Sequence, residues 1–99
     1  LNKLYPFWWF RYNHSRIFRK VIFMNRIQEI AMEIAAEVER AERKHKPMNS
    51  PHEGYAVILE ELDELWEHVR DDTGRGAEAR KEAIQVAAMG LRYALNLCE

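Results

Sequence analysis

Apolar residues recur at helical spacing through most of the chain. Ile27, Ile30, Ala31, Ile34, Val38 and Ala41 repeat every three or four positions, which predicts a helix from about Asn25 to Lys44. Glu33, Glu37, Arg40 and Lys44 fall mostly on other sides, so the element is amphipathic. Pro47, within His45-Lys46-Pro47-Met48-Asn49, stops it. A second stripe, Tyr55, Ile58, Leu59, Leu62, Leu65, Trp66 and Val69, predicts a helix to about Arg70. Its start is well marked: Ser50 can cap it, Pro51 takes the first helical position, and Glu53 completes a capping box. Asp71-Asp72-Thr73-Gly74-Arg75-Gly76 reads as a turn with two glycines. A third helix is predicted from about Ala77 to Leu97.

The third helix differs from the other two. Ala83, Ile84, Val86, Ala87, Ala88, Met89, Leu91, Ala94 and Leu95 spread nearly all round it. A helix that is apolar on most faces is buried on most faces. Three helices in a 99-residue chain can hardly cover it. A partner subunit would, and so would a further helix beyond Glu99. No strand pattern, repeat or low-complexity tract interrupts the helical periodicity. The expected fold is all-α, an antiparallel helical bundle completed in a homodimer or homotetramer.

Residues 1–23 break the pattern. Leu4-Tyr5-Pro6-Phe7-Trp8-Trp9-Phe10 is an aromatic cluster without clear period, and Arg16 to Phe23 is basic and apolar. Helical order starts near Met24. Residues 1–23 are therefore expected to be a non-native or flexible extension, upstream sequence or a fusion remnant, with 24–99 as the domain. The alternatives are an interfacial membrane anchor, with aromatic and basic residues at the headgroups, and a structural helix.

Charge sharpens this division. Lys3, Arg11, Arg16, Arg19 and Lys20 face no acid within residues 1–23, whereas residues 24–99 carry all 16 acids against 10 bases. An acidic body argues against nucleic acid as a partner. One cysteine, Cys98, rules out an internal disulfide and a site built on several thiolates, so a reducing cytoplasmic setting is the simplest. No apolar run reaches transmembrane length.

Candidate chemistry lies in the acids. Glu61 and Glu64 are three apart on the second predicted helix, and Glu82 and Gln85 are three apart on the third. Residues three apart share a helix face. Two such helices packed antiparallel would converge three carboxylates and an amide. Like charges so gathered repel unless a cation holds them, and oxygen ligands suit a hard ion such as Mg²⁺. The plain alternative is a solvated acidic face, which fits Glu60, Asp63 and Glu67 on the side away from the apolar stripe. Glu82 would then be an early-helix acid favoured by the dipole. Arg92 shares a face with Gln85 and suits either a phosphate or a surface acid. His45, His52 and His68 read as surface residues, and Trp66 reads as core rather than as a stacking platform.

From Ser50 to Leu97 the chain resembles the all-α nucleoside triphosphate pyrophosphohydrolases of MazG-like type, especially short phage-type members. The resemblance rests on Ser50-Pro51-His52-Glu53-Gly54-Tyr55, on Leu59-Glu60-Glu61-Leu62-Asp63-Glu64-Leu65-Trp66, and on Glu82-Ala83-Ile84-Gln85. With the first predicted helix it covers about three quarters of the chain. The family signature is ExxE on one helix and ExxD on the next, and Gln85 stands where that signature has Asp. The resemblance implies Mg²⁺, with Mn²⁺ a possible substitute, held by Glu61, Glu64, Glu82 and Gln85. It implies hydrolysis of an NTP or dNTP to the monophosphate and pyrophosphate, with Glu61 and Glu64 catalytic and Glu60 or Glu64 orienting the water. Lys46, Arg75 and Arg92 are candidates for the phosphates, and deoxynucleotides are the favoured substrates. The competing reading is an inactive helical module serving assembly, which Gln85 favours.

Overall fold

The computed structural model describes residues 7–99, the side chains of residues 7–10, 12 and 13 apart. The described residues form three helices and no strand: α1 (Phe7–Lys44), α2 (Pro51–Arg70) and α3 (Ala77–Leu97). The all-α expectation holds at that level. None of these helices is long and apolar enough to cross a membrane.

The first helix is longer than its apolar period predicted. It begins at Phe7 rather than near Asn25. No Pro or Gly stands between Phe7 and Lys44, so nothing in the backbone forces a break. The expectation for residues 1–6 lies outside the described residues. The chain divides into two compact units, Leu1–Ala31 and Met32–Glu99. In the first, Ile17, Phe18, Val21, Ile22 and Phe23 are exposed.

The helix ends follow from local chemistry. Arg43 and Lys44 complement the dipole at the end of α1. Ser50 has extended backbone (φ −150°, ψ 156°), and its hydroxyl accepts from the Glu53 N–H at 3.1 Å. The return half of the box is shifted by one residue: Glu53 Oε2 accepts from the Asn49 N–H at 2.9 Å. At the other end of α2, Asp72 adopts the left-handed region (φ 59°), the place a glycine usually takes. The Thr73 N–H reaches the His68 carbonyl at 2.8 Å and the Asp72 N–H reaches Val69 at 3.2 Å, the paired bonds of a Schellman ending. The two turn glycines thus follow the helix stop and do not make it.

Packing centres on small residues. Val38 and Ala41 of α1 meet Ala88 and Met89 of α3, with Ile34, Val57 and Ile58 packed around them. Ala41 and Ala88 are 2% and 0% exposed, and such short side chains let the helices approach closely. Gly54 near the start of α2 lies against Tyr93 and Leu97 near the end of α3. Arg80 reaches Glu33, and Arg92 reaches Glu42, so α1 and α3 are tied at both ends of their overlap. The apolar stripe of α2 is only partly covered. Ile58 and Leu65 are half-buried, but Tyr55, Leu59, Leu62, Trp66 and Val69 stay exposed within the chain. Trp66, expected in the core, is 57% exposed, because it sits on the α2 face turned away from α3 and the core.

Candidate metal centre

Glu61 and Glu64 lie one turn apart on α2, and Glu82 lies in the second turn of α3. The close α2–α3 packing brings the three together: one carboxylate oxygen from each lies within 4.8 Å of the others. All three side chains are half-buried. Glu82 Oε2 is fully enclosed and has no hydrogen-bond donor. A buried, unpartnered carboxylate oxygen is costly and needs either a proton or a cation.

The electrostatics agree. Burial first, and then the charges of Glu64 and Glu82, push Glu61 up from 4.5 to about 7. Glu64 is raised chiefly by its contact with Glu82 and by that residue's charge. No arginine or lysine is among the groups acting on Glu61 or Glu64. Such a cluster of oxygens suits a hard divalent ion better than a soft one. On the chemistry of the donors and the orphaned Glu82 oxygen, the residues fit such an ion.

Gln85, expected beside these acids, lies near Glu37 of α1, whose carboxyl Arg40 and, to a lesser degree, Gln85 hold below its ordinary range against burial. Glu37 was not singled out in the sequence, although 34, 37, 38 and 41 trace one edge of the α1 stripe, and that spacing marks it. Both residues line a cavity of about 320 Å³ whose wall also includes Glu61, Lys46, Met48, Val57 and Met89.

The cationic candidates separate. Lys46 lies at the cavity. Arg92 lines the same cavity but is 3% exposed and engaged within the fold: Nε donates to Glu42 Oε1 at 3.1 Å, and a terminal nitrogen donates to the Lys46 carbonyl at 3.1 Å. Asn96 adds bonds to Glu42 (2.9 Å) and from the Met48 N–H (2.7 Å). The pair clamps the α1–α2 loop onto α3. Arg75 lies in the α2–α3 turn, lining a separate cavity with Val69, Asp72 and Gly74. Glu60 is exposed and lines the main cavity beside Glu61, while His52 is exposed.

Compared with known proteins, the chain matches no family model, no curated protein and no solved structure. The site is therefore judged on its own geometry.

Proposed function

We propose that this protein is a Mg²⁺-dependent nucleoside triphosphate pyrophosphohydrolase of MazG-like type. Its products would be a nucleoside monophosphate and pyrophosphate. One observation carries the reading: Glu82 Oε2, buried and unpartnered, amid two further carboxylates. When bound, a divalent cation supplies charge neutralisation at the phosphates and a more acidic water. Glu61, Glu64 and Glu82 would hold that cation between α2 and α3. Glu60 stands at the mouth of the cavity, within reach of a role in orienting water. Lys46 offers a charge for the phosphate chain. The contacts along α1, α2 and α3 suit an antiparallel bundle. The exposed α2 stripe suits a homodimer or homotetramer, and the single exposed thiol of Cys98 suits a cytoplasmic setting.

The test is direct. The full chain is incubated with each NTP and dNTP in Mg²⁺, and released pyrophosphate is measured. Release that disappears in Glu82→Gln is expected. Orthophosphate alone, or no release from any nucleotide, overturns the proposal.

A second reading has its own support. The α2 stripe of Tyr55, Leu59, Leu62, Trp66 and Val69 is exposed, and Gln85 brings no charge to the acids. An inactive assembly module would show both. It predicts a stable oligomer that neither hydrolyses nucleotides nor gains thermal stability from Mg²⁺.

A further inference from the structure

The early part of α1 is a bare helix. Every side chain from His14 to Glu29 is exposed, Ile17, Phe18, Val21, Ile22 and Met24 included. At about 100° per residue, those five apolar residues fall within an arc of about 160°. Arg16, Arg19, Lys20 and Arg26 all fall outside it, with Phe23 and Ile27 among them. His14 extends the apolar side by one turn, its ring stacked on Phe18 with centroids 6.4 Å apart. From Phe7 to Gln28 the chain holds five lysines and arginines and no acid. Among the described residues, no ion pair engages Arg16, Arg19, Lys20 or Arg26. The sequence there also carries Trp8, Trp9 and Tyr12, residue types favoured at the boundary between lipid and water. No described helix is long and apolar enough to cross a bilayer, so this one is suited to lying on a surface and not to spanning it.

We propose that residues 14–27 of α1 lie along an anionic lipid bilayer, with Ile17, Phe18, Val21, Ile22 and Met24 at the acyl boundary and Arg16, Arg19, Lys20 and Arg26 at the phosphates. A helix that exposes one line of apolar side chains and one line of cations matches a surface built in the same two layers. The long basic side chains hold their charged heads at the phosphates while their stems follow the apolar layer. Other occupants satisfy one layer only. A nucleic acid neutralises the cations but leaves five apolar side chains in water. A second copy of the segment covers the apolar arc but sets cations against cations. From Glu29 onward the chain carries 16 acids against 9 bases, which the same lipid repels, so the attraction is confined to this segment. The inference goes beyond the hydrolase reading and does not depend on it.

The test is co-sedimentation of the full chain with two kinds of vesicle, pure phosphatidylcholine and an equimolar mixture of phosphatidylcholine and phosphatidylserine. The native chain is expected to bind the anionic vesicles at least about tenfold more tightly, and to lose most of that preference at about 1 M salt. Two variants separate the layers, with helicity checked by circular dichroism. Ile17→Glu combined with Val21→Glu should weaken binding to the anionic vesicles by about tenfold or more. Arg16→Gln, Arg19→Gln and Lys20→Gln together should do the same and erase the preference for anionic lipid. If the first variant loses helicity, the second decides. A native chain that stays in solution overturns the proposal, as does equal affinity for the two vesicles. An Ile17→Glu, Val21→Glu chain that keeps full affinity overturns it too. Tighter binding to duplex DNA than to the anionic vesicles makes nucleic acid the partner, and a native oligomer that this variant splits without any vesicle binding makes it a second copy; either result ends the proposal. Pyrophosphate release, measured on the same samples, should be equal in the native chain and the Ile17→Glu, Val21→Glu chain. Vesicle binding without pyrophosphate release leaves this inference standing and ends the hydrolase reading, and release without vesicle binding does the reverse.

Discussion

Gly54 lies so close to Tyr93 that a methyl group on it would come within 2.5 Å of the tyrosine ring and 3.0 Å of Leu97. The absence of a side chain there sets how near α2 approaches α3. That spacing in turn brings Glu61 and Glu64 to Glu82. Alanine at this position gains about 1 kcal/mol of helix propensity but forces the ring and Leu97 aside, at about 1–3 kcal/mol. Gly54→Ala should on balance lower stability, by up to about 2 kcal/mol in urea unfolding. It should also weaken divalent-ion binding, because the carboxylates move apart. A variant at least as stable as the native chain would show that the contact does not govern the spacing.

The carboxylate cluster should make stability depend on pH in an unusual direction. Glu61 is raised from 4.5 to about 7, and Glu64 is raised as well. In the folded state they hold protons that the unfolded chain has lost. Their contribution is full below about 4.5 and is lost as pH rises through about 7. Glu37 and Glu42 are lowered and act only in the acid range, below their ordinary 4.5. In chelator, Tm should therefore fall between about pH 5 and pH 8, and millimolar Mg²⁺ should restore it. A flat profile in chelator, or no rescue by Mg²⁺ or Mn²⁺, would refute the cluster as described. Glu82→Gln should make the profile shallower, because burial still raises Glu61, and should abolish the rescue.

Arg92 and Arg80 both tie α3 to α1, yet their contributions should differ several-fold. Arg92 is buried and satisfies Glu42 and the Lys46 carbonyl. Arg92→Met strands the Lys46 carbonyl and leaves Glu42 with Asn96 alone, and should cost about 3 kcal/mol, the lower end for breaking a buried pair, since Glu42 also keeps some water. Arg80 and Glu33 are each about half exposed, and Arg80→Ala should change stability by less than about 1 kcal/mol. Paired urea titrations decide; equal effects would contradict this ordering.

The α2 stripe gives a prediction about assembly. Leu62 is 47% and Trp66 57% exposed in the single chain, at heptad spacing with Tyr55, Leu59 and Val69. Light scattering after size exclusion should show an oligomer at micromolar concentration. Leu62→Glu should shift it toward monomer. A native chain that runs as a monomer would mean the stripe has no partner of its own kind.

Much of the fold was legible because α2 and α3 carry their own punctuation. Ser50, Pro51 and the Asp71–Gly76 turn bound them in both sequence and structure. The start of α1 was not legible, because the apolar period fades before Met24 while nothing breaks the helix. The three glutamates were legible from i, i+3 spacing, since convergence needs only two helices side by side. The role of Arg92 was not, because a lone arginine on an apolar helix gives no sign of what lies 46 to 50 residues earlier. Gln85 shares its register with Glu82, but its place in the cavity wall beside Glu37 was not legible, because it depends on how α1 packs against α3. Stripe residues such as Trp66 look identical in sequence whether they pack within a chain or between chains.

All three glutamates belong to α2 and α3, whereas Glu37, Ala41 and Lys46, at the cavity, belong to α1 and the loop after it. The cavity wall thus draws partly on a segment that carries none of the three acids. Substitutions confined to α1 and its loop can reshape that wall while leaving the acid cluster in place.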